Sequence, residues 1–265
     1  MESRDALGAT MELFIEPKLI HTCGRVAHLE RVSRDVSGAT ITAELLELAK
    51  RQAQLGGCYK IIAPCAPAEA RAFETAGFVD KGLQMRHDVA PQSRPDARVP
   101  LSATPAMLSS RHIPTSARHL ELRALNAGDF DRGALALLAQ LTVVGDVSRE
   151  QFDALVPILS GDAHLTLVIA DNEDGGALIG IGTVVLAGPD DGENKRAHIE
   201  DIVVHERARG RGLGALMIRA LLDAARAAGA RSVLLECSPE NKGFYSKLGF
   251  ADAVCSMGFY FEEAA

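Results

Sequence analysis

The spacing of apolar positions in the C-terminal part of the chain predicts alternating strands and helices. Residues 165–170 and 177–186 are apolar runs on either side of a turn-rich stretch, so each predicts a strand. From Leu213 onward, apolar residues recur at i, i+3, i+4 and i+7, which predicts a helix that ends at Gly229. The remaining predicted elements are strands at 197–204, 231–237 and 256–261, and a short helix at 241–248.

The N-terminal part repeats only the later portion of this pattern. The repeated elements are strands at 26–32, 58–63 and 83–87, and helices at 43–54 and 68–76. No counterpart of the earlier strands is recognised before residue 12. We therefore expect one complete unit, residues 121–265, and one partial unit, residues 1–88.

The segment 89–120 separates the two parts. It contains five of the chain's 11 prolines. Proline removes backbone donors and restricts the residue before it, so neither a helix nor a paired strand is expected there. We interpret the segment as a partly extended linker.

Composition excludes several classes of protein. With 47% hydrophobic and 24% charged residues, the 265-residue chain has the balance of a soluble globular protein. Its net charge is −7, and residues 121–265 carry 13 Lys and Arg against 22 Asp and Glu. No basic face is available for nucleic acid, so nucleic acid is not expected as a partner.

Membrane, secretory and metal functions are not expected either. The longest uncharged stretch of interest, residues 175–189, is too short and glycine-rich to span a bilayer, and the first residues do not resemble a signal peptide. The five cysteines are scattered, without a CxxC or Cys/His ligand cluster. We expect reduced thiols, a cytoplasmic protein and no metal.

The most informative motif is a glycine- and arginine-rich run between a strand and a helix. It reads Arg207-Ala-Arg209-Gly210-Arg211-Gly212-Leu213-Gly214. Free amides at a helix N-terminus favour an anion, and glycines let a phosphate approach the backbone. A solvated, charged turn is the alternative, and the spacing does not fit a Rossmann motif.

Arg209-x-x-Gly212-x-Gly214 resembles the acyl-CoA-binding motif of the GNAT N-acetyltransferases. Residues 235–250 look like the second half of that fold, and 198–204 and 140–145 are most similar to its glucosamine-6-phosphate N-acetyltransferase family. Residues 20–24 and 57–61 join the N-terminal part to the same family, so the match covers nearly everything except the linker.

The resemblance implies a GNAT fold of the α/β (α+β) class, with a mixed twisted sheet flanked by helices. It implies acetyl-CoA as co-substrate and direct acetyl transfer to the amine of glucosamine 6-phosphate, feeding UDP-GlcNAc synthesis. The residues implied on the cofactor side are Ile202, Val203, Val204, Arg209, Gly210, Arg211, Gly212, Leu213, Gly214 and Asn241. Tyr245 would protonate the leaving thiolate, and Glu200, Asp201 and the Glu236 carbonyl would hold the sugar and its amine.

Each of these residues also has a structural interpretation. Neighbouring strand residues point to opposite faces, so either Glu200 or Asp201 could be a solvent-facing charge. Tyr245 could be a core aromatic, and Asn241 could cap the short helix. Cys237 has no histidine nearby in sequence, which favours a buried inert thiol over a nucleophile.

The N-terminal part departs from the family pattern where the chemistry is carried. Residues 37–41 replace the glycine-rich loop, and Glu30 is followed by Arg31 instead of an aspartate. Pro64, Glu69 and Phe73 stand where the acidic residue, the asparagine and the tyrosine would be. We expect this part to be a structural half without acetyltransferase activity.

Members of the resembled family are homodimers whose last strand reaches the partner's site. No basic residue follows Met257, whereas Arg86 and His87 follow Met85. This favours either a homodimer or an internal pseudo-dimer in which the N-terminal half lends Arg86 or His87 to the sugar phosphate. Alternatively Arg86 is an exposed strand residue, and Lys195 and Arg196 supply the positive charge.

Two other functions remain open from the sequence. The motif secures only the CoA side, so the acceptor could be another small amine or a peptide amine. The chain could also be a non-catalytic tandem module that binds CoA or a protein partner.

Overall fold

One continuous sheet organises the computed structural model of the chain, which describes residues 2–4, 9–34, 43–89, 99–105, 108, 113, 117–188 and 195–260. Eleven strands in these residues form the sheet, in the order β1-β2-β3-β4-β11-β5-β10-β9-β8-β7-β6. We call residues 2–88 the N-terminal half and residues 120–260 the C-terminal half. No helix in the described part of the chain has the length and apolarity needed to cross a membrane.

The N-terminal half contains five strands and two helices among its described residues. The strands are β1 (Glu2–Arg4), β2 (Ala9–Pro17), β3 (Arg25–Arg34), β4 (Cys58–Cys65) and β5 (Val79–Asp88), and the helices are α1 (Ala43–Leu55) and α2 (Ala70–Thr75). The apolar face of α1 packs on β4 and encloses a small core around Phe73.

The C-terminal half contains six strands and four helices among its described residues. The strands are β6 (Leu120–Ala124), β7 (His164–Asp171), β8 (Ala177–Ala187), β9 (Arg196–Val204), β10 (Ser232–Cys237) and β11 (Ala251–Tyr260). The helices are α3 (Ala134–Leu138), α4 (Arg149–Leu159), α5 (Leu213–Ala227) and α6 (Lys242–Ser246). The buried stripe of α5, including Met217 and Leu221, covers β8 and β9 and forms the main core.

The two halves exchange their last strands. β11 lies between β4 and β5, antiparallel to both, and β5 in turn pairs with β10. The order is therefore mirrored about the β5–β11 seam, with β4 opposite β10, β3 opposite β9 and β2 opposite β8. Each half is completed by a strand from the other, so neither forms its central ladder alone.

The predicted linker packs against the C-terminal half where the structure describes it. Leu101 begins a single 3₁₀ turn and is fully buried, and Leu108 is buried in the same core. The amide of Val99 donates to the carbonyl of Ala227, and that of Leu101 to Asp162. Apolar residues interspersed among the prolines anchor the segment here.

Most predicted elements are confirmed with shifted ends. The expectation that the N-terminal part has no counterpart of the earlier strands is wrong. β2 lies before and across residue 12, and it is the mirrored counterpart of β8. β5 and β11 begin several residues earlier than predicted, because pairing with the other half extends both strands. The short helices α2 and α6 each follow a separate 3₁₀ turn.

The exchange predicts a specific chemical cross-link. Cys65 on β4 and Cys255 on β11 are directly opposite in the antiparallel ladder. Directly opposite Cα atoms lie about 4.5–5.5 Å apart, which is within the range that a disulfide spans. Oxidation of the native chain by diamide should therefore join Cys65 to Cys255, detected by peptide mapping without reduction. A Cys255→Ser variant should lose this peptide, and its absence from the oxidised wild-type chain would contradict the exchanged register.

Candidate active site

The sheet of the C-terminal half opens between two parallel strands. β9 and β10 pair from Arg196 and Ser232 to His198 and Leu234, and no further pairing between them occurs in the described residues. Beyond this point the side of β9 that faces β10 pairs with no other strand in the described residues. A linear ligand can pair with such a strand as an added strand does.

An amide cradle follows β9 at the start of α5. Gly210 and Gly212 have left-handed φ values of 76° and 80°. The amides of Gly210, Arg211 and Gly212 donate to no backbone carbonyl in the described residues, and the loop is exposed. The side chain of Arg209 donates from Nε to the carbonyl of Val204 at 3.0 Å, which fixes one end of the loop. The cradle is thus preformed for an anion.

The short helix α6 lies beside this cradle. Phe244 comes within 3.4 Å of the position a Cβ would take on Gly214. Tyr245 packs edge-on against Phe244 and Phe250, and burial raises the pKa of its hydroxyl to about 12. Asn241 donates from Nδ2 to Ser238 Oγ at 3.3 Å and makes no side-chain cap, so the capping interpretation is wrong.

A bulge in β9 brings two carboxylates to the same place. Asp201 has a left-handed φ of 54°, and the pairing with β8 shifts between Ile181 and Thr183. One extra residue in β9 breaks the strict alternation of side chains. Glu200 and Asp201 each lie 3.1 Å from the same ammonium nitrogen, so the expectation that they face opposite sides is wrong.

That ammonium belongs to Lys18, at the end of β2 in the N-terminal half. Lys18 is 3% exposed, and its Nζ lies 2.7 Å from Glu16. Burial alone would lower the pKa of Lys18, but the carboxylates of Asp201, Glu16 and Glu200 raise it well above the usual value. The same cation and His28 hold the pKa of the buried Glu16 well below its usual range. Both groups are therefore charged.

Two histidine–carboxylate pairs lie next to this group, at the contact between the halves. His28 Nε2 lies 2.9 Å from Glu16, and His198 Nε2 lies 2.7 Å from Glu30, which also faces Arg196 at 3.8 Å. Burial would lower the pKa of His198, but Glu30 outweighs it and raises the pKa to about 9. In return, His198 lowers the pKa of Glu30 to about 2.

The distances within this group would also allow a metal ion. His28, Glu30 and His198 offer ligand atoms within 4.8 Å of one another. In this structure each of the two Nε2 atoms lies within 3 Å of a carboxylate oxygen.

Glu236 on β10 faces the same region from the other side. Its carboxylate accepts from Gln84 Nε2 at 3.4 Å, across the β5–β10 pair. Burial and the neighbouring Glu200 raise the pKa of Glu236. Gln84 is thus a contact from the exchanged strand that the sequence did not indicate.

A shallow pocket, partly open to solvent, adjoins Asp201. Its polar lining is Lys18, His164, Thr166, Thr183 and Asp201. Burial lowers the pKa of His164 to about 4, so this histidine is neutral near pH 7. The pocket is therefore lined by hydrogen-bonding groups and by one charged pair, and its size suits a single water.

The basic residues expected for a substrate phosphate are placed differently from one another. Arg86 is half exposed and pairs with Asp88 at 2.6 Å. His87 packs edge-on against Phe250, on the opposite face of β5 from Gln84. Arg196 is engaged by Glu30, and Lys195 accepts from Arg231 through its carbonyl.

The N-terminal half has structural groups at the positions that differ from the family. Phe73 is fully buried and packs edge-on against Phe78 at 5.2 Å. Glu69 accepts from the amide of Ala66, and Pro64 lies opposite Ser256 in the ladder. Residues 37–41 lie outside the described residues, and nothing is described of the Arg31 side chain.

Sequence reasoning missed the contribution of the N-terminal half to this site. Glu16 lies on β2, His28 lies on β3 and Lys18 directly follows β2, and no motif in the sequence assigned any of them a role. One available signal was a repeated His-x-Glu pattern: residues 28–31 read His-Leu-Glu-Arg and residues 198–201 read His-Ile-Glu-Asp. The two histidines occupy mirrored strands and meet with ring centroids 5.2 Å apart.

Comparisons with known proteins agree with this geometry. The sequence pattern of the acetyltransferase (GNAT) family matches residues 135–250. A probable glucosamine 6-phosphate N-acetyltransferase from Oryza sativa subsp. japonica is 33% identical over 164 residues, which are 60% of this chain and 99% of the relative. A second rice enzyme of the same name is 39% identical over 143 residues, 53% of this chain and 86% of that protein.

Solved structures show the same similarity. The glucosamine-6-phosphate N-acetyltransferase of Arabidopsis thaliana is 36% identical, with a TM-score of 0.51, over 54% of this chain and 99% of that one. A tandem GNAT protein from the clavulanic acid pathway matches 99% of this chain and 82% of its own, with a TM-score of 0.52. At 13% identity the tandem protein shows only that the fold is shared.

The chain therefore belongs to the GNAT family of acetyltransferases. Within that family, the relatives that it matches at 33–39% identity carry the name glucosamine 6-phosphate N-acetyltransferase. Acetyl-CoA is the co-substrate of this family.

The buried pair of His198 and Glu30 predicts a pH-dependent stability. Because the pKa of His198 is raised from 6.5 to about 9, the pair contributes fully below pH 6.5, and the contribution is lost as the pH rises through 9. Glu30→Gln should lower the His198 pKa, measured by NMR titration. The loss of unfolding free energy in urea should be larger at pH 6 than at pH 10.

The exposed carboxylate of Glu121 supplies the control for this experiment. Glu121→Gln should leave the His198 pKa and the pH dependence of unfolding unchanged, because Glu121 faces Arg123 at the surface. An unaltered His198 titration in Glu30→Gln would show that the pair does not form.

Proposed function

We propose that the chain transfers the acetyl group of acetyl-CoA to the amine of D-glucosamine 6-phosphate. The product would be N-acetylglucosamine 6-phosphate, in the route to UDP-GlcNAc. The observation that carries the proposal is the partly buried carboxylate pair Glu200 and Asp201, at the splayed end of β9 and one loop before an open amide cradle. The names of the relatives at 33–39% identity support the same acceptor.

On the cofactor side, the proposal uses the part of β9 that no longer pairs with β10. The pantetheine arm would pair with Ile202, Val203 and Val204, where β9 leaves β10. The pyrophosphate would sit on the amides of Arg209, Gly210, Arg211, Gly212, Leu213 and Gly214, with the dipole of α5 behind them. Asn241 would contact the arm from the 3₁₀ turn before α6.

The reaction needs a neutral amine, a bound thioester and a proton for the leaving sulfur. Tyr245 suits the last role, because a hydroxyl with a pKa of about 12 keeps its proton at neutral pH. Glu200 would accept a hydrogen bond from the acceptor amine, and Asp201 and the Glu236 carbonyl would orient the sugar. Holding both reactants side by side makes the transfer effectively unimolecular, which supplies much of the rate. Direct transfer is consistent with Cys237, whose pKa is raised by burial, taking no part.

We further propose that residues 1–88 act as the non-catalytic member of an internal pseudo-dimer and residues 121–265 as the catalytic unit, joined by the linker 89–120. The mirrored strand order and the exchange of β5 and β11 support this assignment. Arg86 lies on the same face of β5 as Gln84, so it stays a predicted contact for the sugar phosphate, together with Arg196.

A panel of acceptor amines tests the reaction. Thiol release from acetyl-CoA should be fastest with glucosamine 6-phosphate, slower with glucosamine and slowest with a lysine peptide. Tyr245→Phe should lower kcat about 100-fold with little change in KM, within the usual range for a general acid. Arg86→Ala should reduce the preference for the phosphorylated sugar over glucosamine.

Each other result of the panel has a distinct meaning. Turnover with another amine but not with glucosamine 6-phosphate would refute the proposed acceptor. Absence of turnover with every amine, in a chain that still binds CoA, would favour the tandem binding module.

The cradle is tested by two matched glycine variants. Gly212 and Gly175 both have left-handed φ, 80° and 63°, and open space around the Cβ position. Alanine at either position should cost about 1–2 kcal/mol of stability. Only Gly212→Ala should also weaken CoA binding in calorimetry, by about tenfold or more. Equal CoA affinity in both variants would contradict the proposed pyrophosphate site.

A further inference from the structure

Lys18 is the cation that the N-terminal half contributes to the acceptor site. Its ammonium lies within 3.1 Å of Glu200 and Asp201 in the C-terminal half and 2.7 Å from Glu16 on β2, the strand that Lys18 directly follows. Three carboxylates thus converge on one buried charge. A buried cation is stable only when it is paired in this way.

The position of Lys18 is fixed by an unusual turn. His21, Thr22 and Cys23 have consecutive left-handed φ values between 51° and 58°, a conformation that costs about 1–2 kcal/mol per residue. The amide of Lys18 donates to the carbonyl of Gly24, which closes the turn. The amides of His21 and Thr22 donate to the C-terminal half, at residues 143 and 144. The strained turn is therefore docked on the half that Lys18 serves.

We propose that Lys18 is a positioning residue for acetyl transfer, which holds the carboxylates of Glu200 and Asp201 together as their shared counter-ion and aims Glu200 Oε1 at the acceptor amine. The proposal rests on the proposed function. Lys18 engages Oε2 of Glu200, whereas Oε1 is buried without a hydrogen-bond partner in the described residues. That free oxygen is the atom that an acceptor amine would complete.

The charge balance explains why the cation is needed. Two buried carboxylates side by side tend to share a proton, because both cannot ionise without compensation. Burial already raises the pKa of Asp201, and Lys18 opposes that rise.

Other titratable groups also face Lys18. Glu16 comes from β2, His164 from β7, and the buried Tyr59 hydroxyl from the start of β4. His28 acts through Glu16, and Glu236 faces Glu200. Near pH 7 His164 is neutral and burial raises the pKa of Tyr59, so Lys18 is the cation in contact with the pair.

The N-terminal half supplies a lysine to the carboxylates of the C-terminal half, but the C-terminal half has no lysine at the corresponding position. By register, Ala187 of β8 occupies the position of Glu16, because Ala187 pairs with Arg196 as Glu16 pairs with Val26. The residue two places after Ala187 is a proline in the sequence, where the N-terminal half has Lys18. Glu30, the counterpart of Glu200, is paired with His198 and Arg196 instead.

The test compares charge variants by the pH dependence of kcat/KM for glucosamine 6-phosphate in the full chain. Lys18→Met should lower kcat/KM at pH 7 by about 10-fold to 100-fold. It should also move the acidic limb of the profile, where kcat/KM rises with pH, to higher pH by about one unit or more. The sign follows because loss of a positive charge strengthens proton binding nearby. Lys18→Arg should keep the limb near its wild-type position.

Two further variants keep the test decisive. Glu16→Gln removes a negative charge and should move the limb in the opposite direction, to lower pH, even if Lys18→Met does not fold. Lys81→Met removes an exposed lysine of β5 that contacts Tyr260, so it should leave the profile unchanged. Infrared spectra at pH 7 should show a protonated-carboxyl band in Lys18→Met and not in Lys81→Met.

An unshifted limb in folded Lys18→Met would overturn the inference, even with a lower rate, because a purely structural role predicts loss without a shift. The wild-type chain separates this failure from that of the proposed function. If the wild type does not acetylate glucosamine 6-phosphate, the proposed function fails. The infrared spectra of Lys18→Met and Lys81→Met then test by themselves whether Lys18 holds the neighbouring carboxyl groups in their charged form.

Discussion

The exchange of β5 and β11 is the constraint on which the arrangement of the molecule depends. Because each of these two strands hydrogen bonds to strands of the other half, the halves are parts of one sheet and cannot separate without breaking three ladders. The continuous sheet brings the polar face of β2 and β3 against that of β9, as the contact of His28 with His198 shows. The acceptor region is therefore built from residues of both halves, where they meet.

Burial of charge at this seam imposes a strict pairing. Lys18, Glu16, Glu30 and His198 are nearly inaccessible to water, and each has an opposite charge within 3 Å. Removal of one partner from such a pair leaves an uncompensated buried ion, which costs about 3–5 kcal/mol. The same network fixes the relative position of the two halves and the protonation of the groups around the acceptor, so stability and chemistry are linked.

Local signals in the sequence account for much of the fold and for the cofactor side of the site. The periodicity of α5 and the glycines of the cradle act over a few residues, so both could be read directly. The acceptor side depends on contacts between strands that are far apart in the sequence and on the bulge in β9. Strand alternation predicted opposite faces for Glu200 and Asp201, which is wrong because an extra residue enters β9. The role of Lys18 depends on the placement of β2 in the sheet, which no local pattern indicates.

The exchanged seam also determines how the chain can meet other chains. The strands that would otherwise be open edges, β4, β5, β10 and β11, are all internal to the sheet. Its free edges in the described residues are Glu2–Arg4 and Leu120–Ala124, of three and five residues. Short edges are poor templates for strand addition, so the fold protects itself against edge-to-edge aggregation.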